Sequence, residues 1–212
     1  MSSLITSSND EKNDQRNTKD LDLSKDPVAL NLYLALIHSP VVNKNGQIIG
    51  SALTNMDLHD IARAGRTFGV KAYYVVTPYE DQRTLAFQIM DHWTHGHGGR
   101  VNPARKSALE RVRVADTFEA VCTDIENEQG QAVVKVATSA HSQGATSSCR
   151  TLGQELKGNV PHVLVFGTAW GLAPEVINQC DHILEPIQGS GSYNHLSVRS
   201  AASIYLDRLI NS

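Results

Sequence analysis

The run Leu30–Ile37 (LNLYLALI) is apolar almost without a break. A strand with one wet face would alternate polar and apolar residues, so this run is predicted to be a strand covered on both faces. Four more stretches read as strands: Lys71–Thr77, Val133–Thr138, His162–Phe166 and His182–Ile187. Stretches of helical spacing lie between them. Asp57–Gly69 carries apolar residues at 58, 61, 62, 64 and 68, with Asp57 as candidate cap and Gly69 as terminator. Gln82–Trp93 puts Leu85, Ile89 and Trp93 on one stripe, and Asp116-Thr117-Phe118-Glu119 has the form of a capping box opening a helix to about Glu128. Thr146–Leu156, Pro174–Gln179 and Leu196–Ile210 complete the helices. Alternation of this kind implies an α/β fold, with a mostly parallel sheet and helices on both faces.

Residues 1–26 are rich in Ser, Asn, Asp and Lys and read as a disordered polar tail, with the domain running from 27 to 212. The formal net charge is −3, of which the tail holds −2, so any basic surface must be local. Cys122, Cys149 and Cys180 are odd in number and lack zinc spacing, which suits reduced thiols in a cytoplasmic protein. No apolar run is long enough to span a bilayer, and the N-terminus has no secretory h-region.

Three strands end in polar loops. Val133–His141 (VVKVATSAH) ends in Thr138, Ser139 and Ala140. Val163–Leu172 (VLVFGTAWGL) ends in Phe166, Gly167, Thr168, Gly171 and Leu172. Ile187–Leu209 (IQGSGSYNHLSVRSAASIYLDRL) passes through Ile187, Gly189, Ser190, Tyr193, Asn194, His195, Leu196 and Ser197 into a helix. In open parallel sheets, ligands sit beyond the carboxyl ends of the strands, where all three loops fall. The glycines allow close backbone approach, and free N–H groups at a helix start can bind a carboxylate or an adenine edge. Asn194 or His195 could equally be a plain helix cap. Neither a dinucleotide fingerprint nor a Walker loop is present, which disfavours a nicotinamide-dependent Rossmann enzyme.

Together, the three loops resemble the motifs of the SPOUT, or α/β-knot, RNA methyltransferases across residues 30–210. The second motif of that superfamily, F-G-x-E-x-x-G-L-x-x-E, is matched at Phe166, Gly167, Gly171, Leu172 and Glu175 with a one-residue contraction. The third is similar to Asn194–Val198, with Ala201 and Ala202 as the small residues along the helix. Trp93–Gly98 (WTHGHG) and Asn102–Leu109 (NPARKSAL) resemble a bacterial branch of predicted SAM-dependent RNA methyltransferases. The resemblance implies a C-terminal deep trefoil knot, S-adenosyl-L-methionine bound among the three loops, a homodimer with the site near the subunit interface, and RNA (tRNA or rRNA) as substrate, at a ribose or base position left open. A catalytically inactive cofactor- or RNA-binding protein of the same fold is the alternative.

Within that resemblance, the N-x-G-x-x-x-R helix of the ribose methyltransferases falls on Asp57, His59 and Arg63. This implies catalytic roles for Arg63 and Asp57, although an ordinary helix-surface arginine fits Arg63 too. An arginine can fix a phosphate or lower the effective pKa of a hydroxyl. Thr94–Arg113 is Gly- and His-rich and carries Arg100, Arg105, Lys106, Arg111 and Arg113 against the single acid Glu110. It reads as a mobile basic lid, with Arg100, Arg105 and Lys106 on RNA phosphates and Trp93 or a histidine stacked on a base. His92, His95 and His97 have no carboxylate or cysteine at zinc spacing, so no metal is expected.

Overall fold

The computed structural model describes residues 30–140, 144–191 and 193–211. The expected tail therefore lies outside the described residues, as do His141 and Ser192 of two of the loops. In chain order the elements are β1 (Leu32–Ile37), β2 (Val41–Val42), β3 (Ile48–Ile49), α1 (Asn55–Thr67), β4 (Ala72–Val76), α2 (Glu80–Thr94), α3 (His97–Val101), α4 (Pro103–Leu109), β5 (Val112–Ala115), α5 (Phe118–Gln129), β6 (Val134–Thr138), α6 (Cys149–Glu155), β7 (His162–Gly167), α7 (Pro174–Ile177), β8 (His182–Leu184) and α8 (Val198–Ile210).

The main sheet has the order β5-β4-β1-β7-β6-β8, and every pairing in it is parallel. β1 is central, and all six of its residues are fully buried, as its unbroken apolar run requires. Its side chains divide by parity. Leu32, Leu34 and Leu36 enter a core under α1, α2, α4, α6 and α8; Tyr33, Ala35 and Ile37 enter a second core under α5, α7 and the β2–β3 hairpin. Each such aliphatic side chain removed from water contributes roughly 1.5–3 kcal/mol. Helices thus cover both faces, as expected from the alternation.

Local chemistry corrects several element ends. Thr54, not Asp57, caps α1: its hydroxyl accepts from the Asp57 N–H at 3.1 Å and donates to the Asp57 carboxylate at 2.6 Å. Thr117 alone caps α5, with its hydroxyl taking the Ala120 N–H. On α2 the inward stripe is Ala86, Ile89, Met90 and Trp93, while Leu85 faces solvent. β8 stops at Leu184 rather than Ile187, because Pro186 follows and has no N–H for a ladder.

The largest correction concerns 94–113, expected as a mobile lid. It forms α3, α4 and edge strand β5, packed against α1 and α2. Its glycines serve contact. A Cβ on Gly98 would lie 2.8 Å from both the His92 and Trp93 rings, and one on Gly99 would strike the Trp93 carbonyl. Asn102 then caps α4, accepting from the Arg105 N–H at 2.9 Å, with Pro103 in the first turn.

Candidate functional site

β7, β6 and β8 are neighbours in a parallel array, so the three loops leave the same end of the sheet side by side. The Thr138 hydroxyl closes β6 onto β7 by donating to the Val165 carbonyl at 2.9 Å. Ser139 and Ala140 follow, and the Asn194 amide reaches across from the third loop to the Ala140 carbonyl at 3.4 Å. The first and third loops therefore touch.

The loop after β7 is a tight reversal. Phe166 is anchored in the core against Tyr205, with ring centroids 6.2 Å apart. A Cβ on Gly167 would lie 2.6 Å from the Leu172 nitrogen, so only glycine allows this closure. Ala169 has φ +52° and Gly171 φ +120°, and the Gly171 N–H returns to the Thr168 carbonyl at 2.9 Å. The hairpin strand β2 holds the loop from below through Trp170 N–H to Val42 O and Val42 N–H to Gly171 O, both 3.0 Å. Leu172 is buried.

In the third loop Ile187 is buried, whereas Gly189, Ser190, Tyr193, His195, Leu196 and Ser197 are exposed and Asn194 is half-buried. The Tyr193 and His195 rings lie 5.2 Å apart. Ser197 caps α8, its hydroxyl accepting from the Ser200 N–H at 3.2 Å, so neither Asn194 nor His195 is committed to that task. Glu185, just before the loop, accepts from the Cys149 N–H at 2.9 Å at the start of α6, and its carbonyl takes the Tyr205 hydroxyl at 2.9 Å. Phe166 and Ile187 are buried in the core on one face of the sheet and Leu172 in the core on the other, and most of the exposed loop residues above them are polar or glycine. Exposed backbone and hydroxyl groups at the carboxyl ends of adjacent parallel strands, with open space around Gly171 and Gly191, fit a flat purine with a polar amino-acid tail.

On α1, Asp57 is 8 % exposed and engaged. Arg199, the second residue of α8, donates to it at 3.0 Å and approaches Asp60 at 3.5 Å. Asp60 in turn lies 3.7 Å from Arg63, whose side chain is 58 % exposed. A row of alternating charge, Asp57–Arg199–Asp60–Arg63, thus runs from the third loop's helix along α1. Arg199 was not singled out from the sequence, although it stands inside the third motif.

A second feature hidden in the sequence joins the end of β1 to the loop after β7. His38 follows β1 and is fully buried. Its Nδ1 is 3.2 Å from the Ser51 hydroxyl, which is 2.5 Å from the Thr168 hydroxyl, which donates to the Ile37 carbonyl at 3.0 Å. A carbonyl can only accept, so Thr168 donates to that of Ile37; the single Ser51 proton serves Thr168 or the His38 carbonyl at 3.4 Å, and in either case Nδ1–H donates to Ser51. Nε2 is left buried and, among the described residues, without a partner. Burial pushes the His38 pKa down, against the Asp57 charge and the Ala52 backbone. The ring is therefore neutral, and it supports the loop rather than facing solvent.

The expected RNA-contacting residues lie apart from the three loops, on α3 and α4. Arg100 is exposed on α3, Lys106 lies 3.7 Å from Glu110, and the Arg105 guanidinium stacks on Trp93 at 4.7 Å. Among the described residues no group of three or more His, Cys, Asp or Glu side chains is arranged to hold a metal, and no helix is long and apolar enough to cross a membrane.

Residues 31–211 match the model of a family described as SAM-dependent RNA methyltransferase. A tRNA (guanine-N(1)-)-methyltransferase of Oleidesulfovibrio alaskensis is 48% identical over 182 residues, covering 85% of this chain and 42% of that protein. The chain thus spans less than half the length of that relative. An uncharacterized protein of Aquifex aeolicus is 41% identical over 182 residues, covering 85% of this chain and 89% of its own length. Among solved structures, the SpoU methyltransferase AviRb from Streptomyces viridochromogenes shares the fold, with TM-score 0.54 and 18% identity over 90% of this chain and 63% of that one.

Proposed function

The chain belongs to the SAM-dependent RNA methyltransferase family, and from that membership we propose that it transfers a methyl group from S-adenosyl-L-methionine to an RNA, with tRNA as the substrate class. The observation that carries this reading is the convergence of three polar loops, two of them touching through Asn194 and Ala140, at the carboxyl ends of adjacent parallel strands. The cofactor supplies an electrophilic methyl on a sulfonium. Thr138, Gly167, Ile187 and Asn194 are the residues to hold it: the first and last fix the loops, Gly167 keeps the backbone close, and Ile187 offers an apolar wall.

On the acceptor side, Arg63 is the group that orients the RNA, because its side chain is largely exposed while, among the described residues, its ion pair is a long one to Asp60 at 3.7 Å. Asp57 acts through Arg199, holding the start of α8 below the cofactor loop. The tRNA assignment draws on the name of the Oleidesulfovibrio protein. More than half of that protein lies beyond the match, so the guanine-N1 position is not carried over. The same reading includes a C-terminal knot, a cytoplasmic location and a homodimer. Ile48, Met56, Trp170, Tyr193 and Leu196, all exposed, support burial of this end of the sheet against a second subunit.

Isothermal titration with S-adenosyl-L-methionine tests the donor half. Incubation with labelled cofactor and tRNA from a strain lacking the gene, followed by nucleoside mass spectrometry, tests the acceptor half and identifies the methylated atom. A folded protein that binds no cofactor refutes the proposal; binding without transfer to any RNA reduces it to a binding protein of this fold.

A further inference from the structure

One cluster of polar and aromatic side chains lies at the edge of the core, where Trp93 packs, and is not part of the three loops. His59 on α1, His92 and Trp93 on α2 and Arg105 on α4 meet where the three helices pack. The Trp93 ring has His59 edge-on at 5.3 Å, His92 edge-on at 5.2 Å and the Arg105 guanidinium over its face at 4.7 Å. Trp93 and Arg105 are half-buried, and His92 beside them is exposed.

Two features of the cluster are unfinished. Arg105 Nε is buried with no acceptor, and His59 Nδ1 is buried with no partner, among the described residues. No ion pair reaches Arg105 there either, although a guanidinium presents five donors. Charge is unbalanced as well. Burial lowers the His59 pKa, and Arg105, Arg63 and His92 lower it further, while Asp60 alone opposes them. Asp60 is already shared between Arg63 and Arg199. A half-buried cluster with an unused guanidinium donor, surplus positive charge and an aromatic ring is matched by an anion with several oxygens attached to a ring system. A phosphodiester next to a nucleobase is such a group.

We propose that His59, Trp93 and Arg105, flanked by Arg63 and His92, form a phosphodiester-binding subsite for the backbone of the RNA on which the protein acts. Resting on the RNA reading above, the subsite names where the strand is gripped. Arg105 takes a non-bridging oxygen through its unused N–H groups while staying flat on Trp93. His59 completes the pocket wall, and Arg63, one turn further along α1, meets the adjoining nucleotide. The contact positions the strand rather than reading its sequence.

The test uses the full chain and three arms: buffer, inorganic phosphate, and a short single-stranded oligoribonucleotide. Side-chain NMR follows the His59 imidazole and the Trp93 indole N–H. RNA is expected to raise the His59 pKa, since a nearby anion favours the imidazolium, and to shift the Trp93 signal; phosphate alone should act only at far higher concentration. Arg105→Gln should weaken RNA binding about tenfold and reduce the slope of log affinity against log salt by about 0.7, the loss of one phosphate contact on a single strand. His59→Gln, which removes no charged contact, should weaken it less. Cofactor titration of each variant, expected unchanged, shows that the fold survives. Wild-type RNA affinity and salt slope in Arg105→Gln would overturn the subsite. A response to phosphate with no binding of RNA, while the cofactor still binds, would overturn the RNA assignment instead.

Discussion

Arg199 donates to the Asp57 carboxylate at 3.0 Å across 142 residues of chain, joining the helix after the third loop to the helix that carries Arg63. Both side chains are largely withdrawn from solvent, 27 % and 11 % exposed, so neither can lose its partner without consequence. Asp57→Asn is expected to lower stability by about 1–2 kcal/mol, because it removes the nearer carboxylate from a half-buried guanidinium and leaves only the longer contact to Asp60 at 3.5 Å. Asp57→Asn combined with Arg199→Met should recover part of that loss. Urea unfolding of the two single variants and the double variant measures the coupling.

Gly167→Ala is expected to weaken S-adenosyl-L-methionine at least tenfold while changing stability by about 1–3 kcal/mol. The new methyl would meet the Leu172 nitrogen and the Gly171 carbonyl carbon at 2.6 and 2.7 Å, so the loop must open. Isothermal titration reads the affinity. Binding at wild-type strength would remove this loop from the cofactor pocket.

Asn194→Ala should behave differently. Its amide makes one long bond, 3.4 Å to the Ala140 carbonyl, so removing it costs less than about 0.5 kcal/mol of stability. Cofactor affinity should still fall by about three- to tenfold, because the first and third loops lose their tie. A thermal melt beside the titration separates the two effects.

Stability should fall as pH drops below 6.5. Burial holds the His38 and His162 pKa values below their ordinary 6.5 in the folded chain. A group depressed in this way takes up a proton more readily when unfolded. Its contribution is full above the unfolded pKa and is lost as pH falls toward the folded one, with a slope of up to ~1.4 kcal/mol per pH unit for each histidine. His38→Asn keeps a donor toward Ser51 and cannot titrate, so it should flatten the curve. Urea midpoints between pH 5 and 8 check both statements.

The parallel sheet and the three loops were legible because they depend on local pattern: Leu30–Ile37 is apolar almost throughout, Gly167 ends β7, and Gly171 and Gly189 stand in the loops that follow β7 and β8. The partners of Asp57 and His38 were not legible. Arg199 lies 142 residues from Asp57, and Ser51, which holds His38, is itself held by Thr168 117 residues on; periodicity carries no information about such pairs. Residues 94–113 were misread for another reason. Glycine permits both mobility and close contact, and only the presence of the His92 and Trp93 rings beside Gly98 decides between them. Strand β5 escaped notice because it is four residues long with one buried side chain, and Arg113 on it is spent on Asp124 and Glu128 of α5.

The central place of β1 has a consequence for the order of assembly. Its left-hand neighbour, β4, follows within forty residues, but its right-hand neighbour is β7, which begins only at His162. As the chain leaves the ribosome, β1, β4 and β5 with α1, α2 and α4 can associate early, yet the inner edge of β1 must wait for most of the polypeptide. During that interval an apolar strand presents unpaired backbone, the form most prone to pairing with another chain. Its protection then depends on the speed of elongation rather than on the finished contacts, and destabilising substitutions in β7 should lower soluble yield more than equal ones in β5.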